Sequence, residues 1–374
     1  MSKSSTASAP GKSNRLAYLD WARGTAALVM LQGHVFHSFM RPDLRQESPY
    51  VLSQFVGGMT PAIFLFLTGV TLAFLMDSRG KVGLSPAQRV WEAFKRSRYL
   101  FLLAFAFRIQ MWLFAAGGSA WTDIFKVDIL NSMGLAIALM APLAMFSTRD
   151  RMRLGFVTGL AVACAAPIIS GLNLGWVHPF IRAYFVPDPN FFSFFPWAAF
   201  VAFGISAGSV IRVAKEEDMA KVMQWASLFG IALIVGARYF ANLPYSLFPN
   251  SDFWLNSPAL ILIKLGVMYL LLSFAFIWTR YVNPSGWSFV SQIGTTSLVV
   301  YWVHTEIVYG RWLWFWKESL TAGPVLAIAV AVILAMILLS VSWTGYKGSR
   351  SLPEWAKTRW GRLRAVPAPA TAGD

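Results

Sequence analysis

Four polar side chains stand out in the first apolar stretch of the chain, AYLDWARGTAALVMLQGHVFHSFM at 17–40: Asp20, Arg23, His34 and His37. Arg23 and His34 are eleven positions apart. On a helix that is almost three whole turns, so both side chains share a face, roughly 16 Å apart along the axis. Asp20 lies one turn before Arg23 and His37 one turn after His34, completing a stripe. Ionisable groups within a bilayer cost several kcal/mol each unless they pair or face a cavity, so a stripe of them marks function. An imidazole exchanges a proton near neutral pH and suits a general base. A guanidinium in an open site suits phosphate or carboxylate. Gly33 permits close backbone approach beside His34, and Gln32 offers a further hydrogen bond. The alternative for Arg23 is a structural ion pair with Asp20. His37 reads as an auxiliary or interfacial group.

Further polar residues interrupt later apolar segments. Arg108 sits in FLLAFAFRIQMWLF and Lys264 in PALILIKLGVMYLL. Each requires an anion or a water-filled cavity, and with Arg23 they form a candidate cationic lining for a phosphorylated ligand. The alternative is snorkelling, or pairing with Asp20 or Glu306. Arg238, near a helix end, reads as a snorkelling residue. TTSLVVYWVHTEIVYG carries Tyr301, His304 and Glu306. Tyr301 and His304 share a helical face, and Glu306 sits off it. On the residues alone, His304 is either a second catalytic group or a buried hydrogen-bonding residue. There is no Walker loop, GxSxG elbow or HExxH site, and no cluster has metal-ligand spacing.

The elements that position these residues must be membrane helices. Of 374 residues, 56% are hydrophobic and 13% charged, and the mean hydropathy is +0.54. Soluble domains carry about 25% charged residues. Windows of the roughly 20 apolar residues that cross a bilayer recur along the chain. The spacing predicts an all-α bundle of about ten spans: 17–39, 54–76, 98–117, 128–147, 155–173, 191–211, 222–240, 257–279, 292–310 and 323–343. The net charge of +15 does not indicate nucleic acid, because the basic runs fall on alternate connections. Arg79 to Arg98, Arg149 to Arg153, Arg212 to Lys221 and Lys347 to Arg364 follow the positive-inside pattern. An even span count with two basic termini predicts both termini in the cytoplasm. Basic loops 77–97, 148–154, 212–221 and 280–291 are then cytoplasmic.

The opposite loops, including WVHPFIRAYFVPDPNFF and NLPYSLFPNSDFW, are rich in aromatics and proline. They suit a sugar or lipid-linked acceptor, or act as interfacial anchors. Three regions follow: a disordered N-terminal segment 1–16, a membrane domain 17–345 and a basic tail 346–374. The first apolar segment is too long and too polar for a signal-peptide h-region, and is expected to stay. Cys164, the single cysteine, reads as a small buried apolar residue. No internal repeat is apparent, which weighs against transporter folds built from duplicated halves.

LDWARGTAALVMLQGHVFHSF resembles the first helix of the transmembrane acyltransferase superfamily, which includes the acyltransferase-3 and the heparan-alpha-glucosaminide N-acetyltransferase-like proteins. Arg23 and His34, with ten residues between them, match the acyltransferase-3 hallmark. GGMTPAIFLFLTGVTLAFLM, VDILNSMGLAIALMAPL, FFSFFPWAAFVAFGISAG and SLVVYWVHTEIVYG resemble the heparan-type branch, in order and at suitable spacing. Heparan-type relatives often carry Gln-Arg after DIL, where this chain has Asn131-Ser132, so a basic contact is missing or is replaced, with Arg108 as the candidate.

The resemblance implies a donor, acyl-CoA drawn from the cytoplasm and acetyl foremost, and an acceptor, the hydroxyl or amine of an extracytoplasmic glycan. The implied location is the bacterial cytoplasmic membrane. On that reading His34, Arg23 and Asp20 are the catalytic group, and Arg23, Arg108 and Lys264 contact the donor. His37, Tyr301, His304 and Glu306 are auxiliary candidates. Two alternatives remain at this stage: a secondary transporter using the intramembrane charges, and a non-enzymatic assembly factor for envelope glycans.

Overall fold

The computed structural model describes residues 16–115, 118–245, 247–248, 251–284 and 286–349. Residues 1–15 and 350–374 lie outside that set, so the expected disordered head and most of the basic tail do too. Among the described residues the chain is helical, with no strand beyond two isolated bridges. Among the described residues seven stretches are long and apolar enough to cross a membrane: Ser48–Lys81, Trp121–Met145, Thr148–Ser170, Phe194–Val213, Glu216–Ala241, Pro258–Val282 and Ala322–Lys347.

The other three expected spans are present as helices of different character. The first, α1 (Ala17–Phe39), carries the polar stripe. The third, α4 (Pro86–Leu113), is longer than expected, and its first three turns are basic. The ninth divides at Thr296 into α11 (Phe289–Thr295) and α12 (Ser297–Tyr309), each too short to span alone.

Several expected loops are also helical. α2 (Ser48–Gly57) folds back along α1, and α3 (Thr60–Lys81) continues from it after a break at Gly58 and Met59. The polar stretch after α3 contracts to a tight turn. Gly83 takes φ +83° there, and Ser85 and Gln88 form a reciprocal cap that starts α4. The basic residues at 77–97 therefore sit on helix ends rather than on a free loop. Similarly, 148–154 forms the first turns of α6 (Thr148–Ser170), whose cap is Ser147.

The remaining helices are α5 (Ile129–Met140), α7 (Pro179–Phe185), α8 (Phe194–Val213), α9 (Met219–Ala241), α10 (Pro258–Ile277) and α13 (Ala322–Ser349). We call the face where α1 begins the lower face and the one where it ends the upper face. Short tertiary contacts order the bundle between them. The Arg212–Asp77 ion pair (2.7 Å) joins α8 to α3 at the lower face. The Met40–Leu320 bridge and the Asn256–Ser170 hydrogen bond (2.8 Å) lie at the upper face.

α1 is the hub. It packs against α2, α3, α10, α11, α12 and α13. Leu31, Val35 and Phe39 are fully buried against Val300, Val308 and Val325. Lipid tails are as apolar as these side chains, so close van der Waals packing holds such helices together. Glycines make that packing possible. A Cβ at Gly24 would meet the Val290 carbonyl, and one at Gly294 would meet the Asp20 carbonyl. α11 therefore lies backbone to backbone on α1, one residue from Arg23. Gly69 and Gly204 do the same for α3 and α8.

Candidate active site

The α1 stripe faces a cavity of about 1800 Å³. Arg23, His34 and His37 all line it, as the helical register predicts. Residues from both ends of the bundle contribute: Arg96 and Lys347 from the lower half, Arg238 and Trp254 from the upper. Five Lys or Arg residues (Arg23, Arg96, Arg238, Lys264 and Lys347) line the space, and no Asp or Glu does among the described residues. A cavity with that lining attracts anions along its length.

Arg23 is held from below. Its Nη1 donates to Asp20 Oδ1 at 3.1 Å, one turn away, and Asp20 is buried. Asp20 therefore orients the guanidinium from behind the cavity wall rather than facing the space.

His34 has a defined partner. Its Nδ1 stands 2.9 Å from His304 Nε2, and His304 Nδ1 stands 2.7 Å from the Val300 carbonyl. A carbonyl oxygen only accepts, so His304 Nδ1 carries the proton. His304 Nε2 is then the acceptor, and His34 Nδ1–H is the donor. Thr305 Oγ1, 3.4 Å from the same Nε2, spends its proton on the Tyr301 carbonyl at 2.6 Å. The network thus assigns His34 Nδ1–H, leaving Nε2 with a free lone pair. The two rings stack at 5.2 Å, and Tyr309 packs edge-on against His34 at 5.3 Å.

Lys264 lines the same cavity, at about the depth of His34. Gln54 donates to the Gly33 carbonyl (3.0 Å), Gly57 abuts Gly33, and Lys264 Nζ donates to the Gly58 carbonyl (3.1 Å). The ammonium also lies over the Trp197 ring, 5.2 Å from its centroid. The break at Thr296 brings Thr295, Thr296 and the first residue of α12, Ser297, to the cavity wall.

Above His34, His37 Nδ1 lies 3.3 Å from the Tyr309 hydroxyl. The connecting strap 317–320 closes this end. Lys317 Nζ donates to Ser38 Oγ at 2.8 Å and to the Val308 carbonyl, and lies over Phe39 and Tyr309. Burial pushes its pKa down to about 8.

Two sequence candidates are placed elsewhere. Arg108 is outside the cavity lining, with Nε 3.4 Å from Asp128 Oδ2. Asp128 is buried and caps α5 through the Leu130 and Asn131 amides. Asn131 completes that cap and donates to the Tyr184 hydroxyl, so the Asn131-Ser132 position serves the start of α5. Glu306 accepts from Gln110 (3.2 Å) and from Trp312 (3.1 Å), which ties α12 to α4 and to the turn Arg311–Trp316 that follows it. Tyr301 lines the cavity, and His304 is fully buried behind His34. Cys164 is exposed on α6, not buried.

Sequence reading missed Arg96 and Lys347 as cavity residues. Both belong to basic runs that the charge rule explained as a whole, with nothing local to single them out. It also read Arg238 as a snorkelling residue, whereas Arg238 lines the cavity.

Among the described residues the chain is a helical bundle with membrane-crossing segments around a cation-rich cavity, the architecture of a polytopic membrane protein. The chain belongs to the heparan-alpha-glucosaminide N-acetyltransferase family: that family's catalytic-region model matches residues 15–241, more than half of the 374. It is therefore an integral membrane protein of an acetyltransferase family. The match falls on the heparan-type branch of the resemblance and covers α1 to α9, with Arg23 and His34 inside it and Lys264 and His304 beyond it. No curated protein matches the chain. The family assignment does not favour the transporter alternative.

Proposed function

We propose that this protein transfers an acetyl group from cytoplasmic acetyl-CoA to a hydroxyl or amine of an extracytoplasmic glycan, free or lipid-linked. The observation that carries the reading is one cavity lined by both Arg23 and His34, with the His34 Nε2 lone pair unspent. The basic lower face suits the cytoplasmic side of a bacterial inner membrane, by the positive-inside rule.

The donor enters from the lower face, where Arg96, Lys347 and Arg23 offer cations to its phosphates. About 16 Å separates Arg23 from His34 along α1, a gap the extended pantetheine arm can bridge. The acceptor enters from the upper face. His34 Nε2 takes the acceptor's proton as its oxygen or nitrogen attacks the thioester carbonyl. The tetrahedral adduct collapses by breaking the C–S bond. The thiolate leaves and recovers the proton from the imidazolium, so CoA-SH and acetylated acceptor are released. In a two-step variant His34 Nε2 attacks the thioester carbonyl first and the C–S bond breaks to expel the CoA thiolate. The acceptor then attacks the acyl-imidazole, the N–C bond breaks to free His34, and the acceptor's proton goes to the thiolate to give CoA-SH.

Purified protein incubated with radiolabelled acetyl-CoA and a panel of glycans tests this. The expected result is stoichiometric CoA thiol and labelled glycan with wild type, both formed about a hundredfold or more slowly with His34→Ala. Folded His34→Ala that transfers acetyl at the wild-type rate removes the proposal.

A further inference from the structure

We propose that the upper half of the cavity opens sideways into the bilayer and takes a phosphate-bearing amphiphile, so that the acceptor is a lipid-linked sugar phosphate rather than a soluble glycan. This rests on the acetyl-transfer reading and names its acceptor class.

The first observation is where the wall lies. The upper cavity is bounded by Phe55 and Val56 of α2, by Ile234 and Arg238 of α9, and by Ile263 and Lys264 of α10. α9 sits at the flank of the bundle. Of its 23 residues it buries Met219, Met223, Gly230 and Ala237 alone, and its main neighbour is α10. A cavity that reaches a flank helix has reached the lipid-facing side. Ile234 and Arg238, at i and i+4, turn one face of α9 to this space. At the upper rim Phe55 of α2 meets Trp254, edge to face at 6.3 Å, and closes the gap from above. Below that pair Val56, Ile234 and Ile263 supply apolar wall for hydrocarbon, beside the two cations Arg238 and Lys264.

The second observation is charge. Lys264 makes its hydrogen bond to the Gly58 carbonyl and lies over Trp197. Neither Lys264 nor Arg238 has a carboxylate within ion-pair distance among the described residues. Lys264, inside the bundle, is costly without a counter-ion. Arg238, one turn from the upper end of α9, lies at headgroup depth, and Lys264 lies deeper at the level of His34. An anion bound between them places the attached sugar beside the imidazole while its tail stays in the bilayer. Phosphate is the anion that a lipid carries at this depth, and guanidinium and ammonium groups both bind it well.

The test uses full-length protein in phosphatidylcholine nanodiscs without acetyl-CoA, read by native mass spectrometry and thermal shift. The probes are a long-chain polyprenyl phosphate, the matching polyprenol, glucose 1-phosphate and inorganic phosphate. Polyprenyl phosphate is expected to bind at least tenfold more tightly than any other probe. Lys264→Gln and Arg238→Gln are each expected to weaken it at least tenfold while leaving polyprenol unchanged. Arg238 is exposed at a helix end, so its variant should fold even if Lys264→Gln does not. Equal binding of glucose 1-phosphate, or unchanged polyprenyl phosphate binding in Arg238→Gln, overturns the proposal. If soluble glycans are acetylated but no lipid phosphate binds, this inference fails alone. If lipid phosphate binds but no acetyl transfer occurs, the transfer reading fails alone.

Discussion

His34 on α1 and His304 on α12 share one proton, with His34 Nδ1 2.9 Å from His304 Nε2 and His304 anchored on the Val300 carbonyl at 2.7 Å. His304 is fully buried and does not line the cavity, so on the proposed reading any effect it has on transfer passes through His34. Removing His34 should lower kcat by about 10²–10⁴, the usual contribution of a general base. His304→Phe removes the acceptor and should lower kcat about tenfold with the donor KM unchanged. His304→Gln, whose amide oxygen can still accept, should recover part of that loss. Steady-state kinetics with acetyl-CoA varied separates these cases. A His304→Phe enzyme whose only change is a raised KM would contradict the positioning role.

Arg23 is expected to act on donor affinity. Arg23→Gln should raise the acetyl-CoA KM or Kd about tenfold, the scale of one charge-assisted contact. Asp20→Asn should do so more weakly, because it loosens the orientation of the guanidinium without deleting it. Binding of desulfo-CoA and of dephospho-desulfo-CoA, measured by calorimetry, checks this. Wild-type affinity in Arg23→Gln would place the donor elsewhere.

Arg108 predicts the reverse pattern. It sits beside the buried Asp128 carboxylate, outside the cavity. Arg108→Met should lower the melting temperature and leave the donor KM alone. Asp128→Ala should cost more, because it also removes the cap of α5, worth about 1 kcal/mol by itself. Thermal unfolding in detergent beside donor kinetics decides the matter.

The α1–α11 contact offers a packing test. Gly24→Ala and Gly294→Ala each force a Cβ onto backbone that cannot retreat, and overpacking costs about 1–3 kcal/mol. Gly236→Ala on α9 meets nothing within 4 Å and should be neutral or slightly stabilising. Melting temperatures of the three variants give the comparison. Equal melting of Gly24→Ala and Gly236→Ala would mean that the two helices are farther apart than described.

Lys317 should titrate near pH 8. Its folded-state pKa is pushed down to about 8, against about 10.4 for a free lysine. Between those values the unfolded chain holds the extra proton, so this residue's contribution to stability grows as pH rises through the window. Below pH 8 both states are charged and the burial penalty is fully present. Reductive ¹³C-methylation followed by NMR titration reads the group directly, with Lys317→Gln to assign the resonance. A midpoint above 10 would show the amine to be freely solvated.

The helical register of α1 was legible in the chain. Backbone geometry alone places residues eleven apart on one face, and Arg23 and His34 do line one cavity. The membrane class was legible because apolar content and charge spacing answer directly to the bilayer. The number of spans was less so. Windows of hydropathy do not reveal that Thr296 breaks a helix or that α1 is a polar hub, because neither feature changes average hydropathy much.

Which charges serve the site was decided by tertiary packing. Arg108 and Lys264 look alike in sequence, each a lone cation in an apolar run. Asp128 approaches Arg108 only because α4 packs on α5, whereas Lys264 meets a carbonyl, an aromatic face and open space. His34 and His304 are 270 positions apart, and no local pattern announces their hydrogen bond. Periodicity and composition are properties of the chain itself. The partner of a buried polar group depends on which helices meet, and that is settled only when the whole bundle packs.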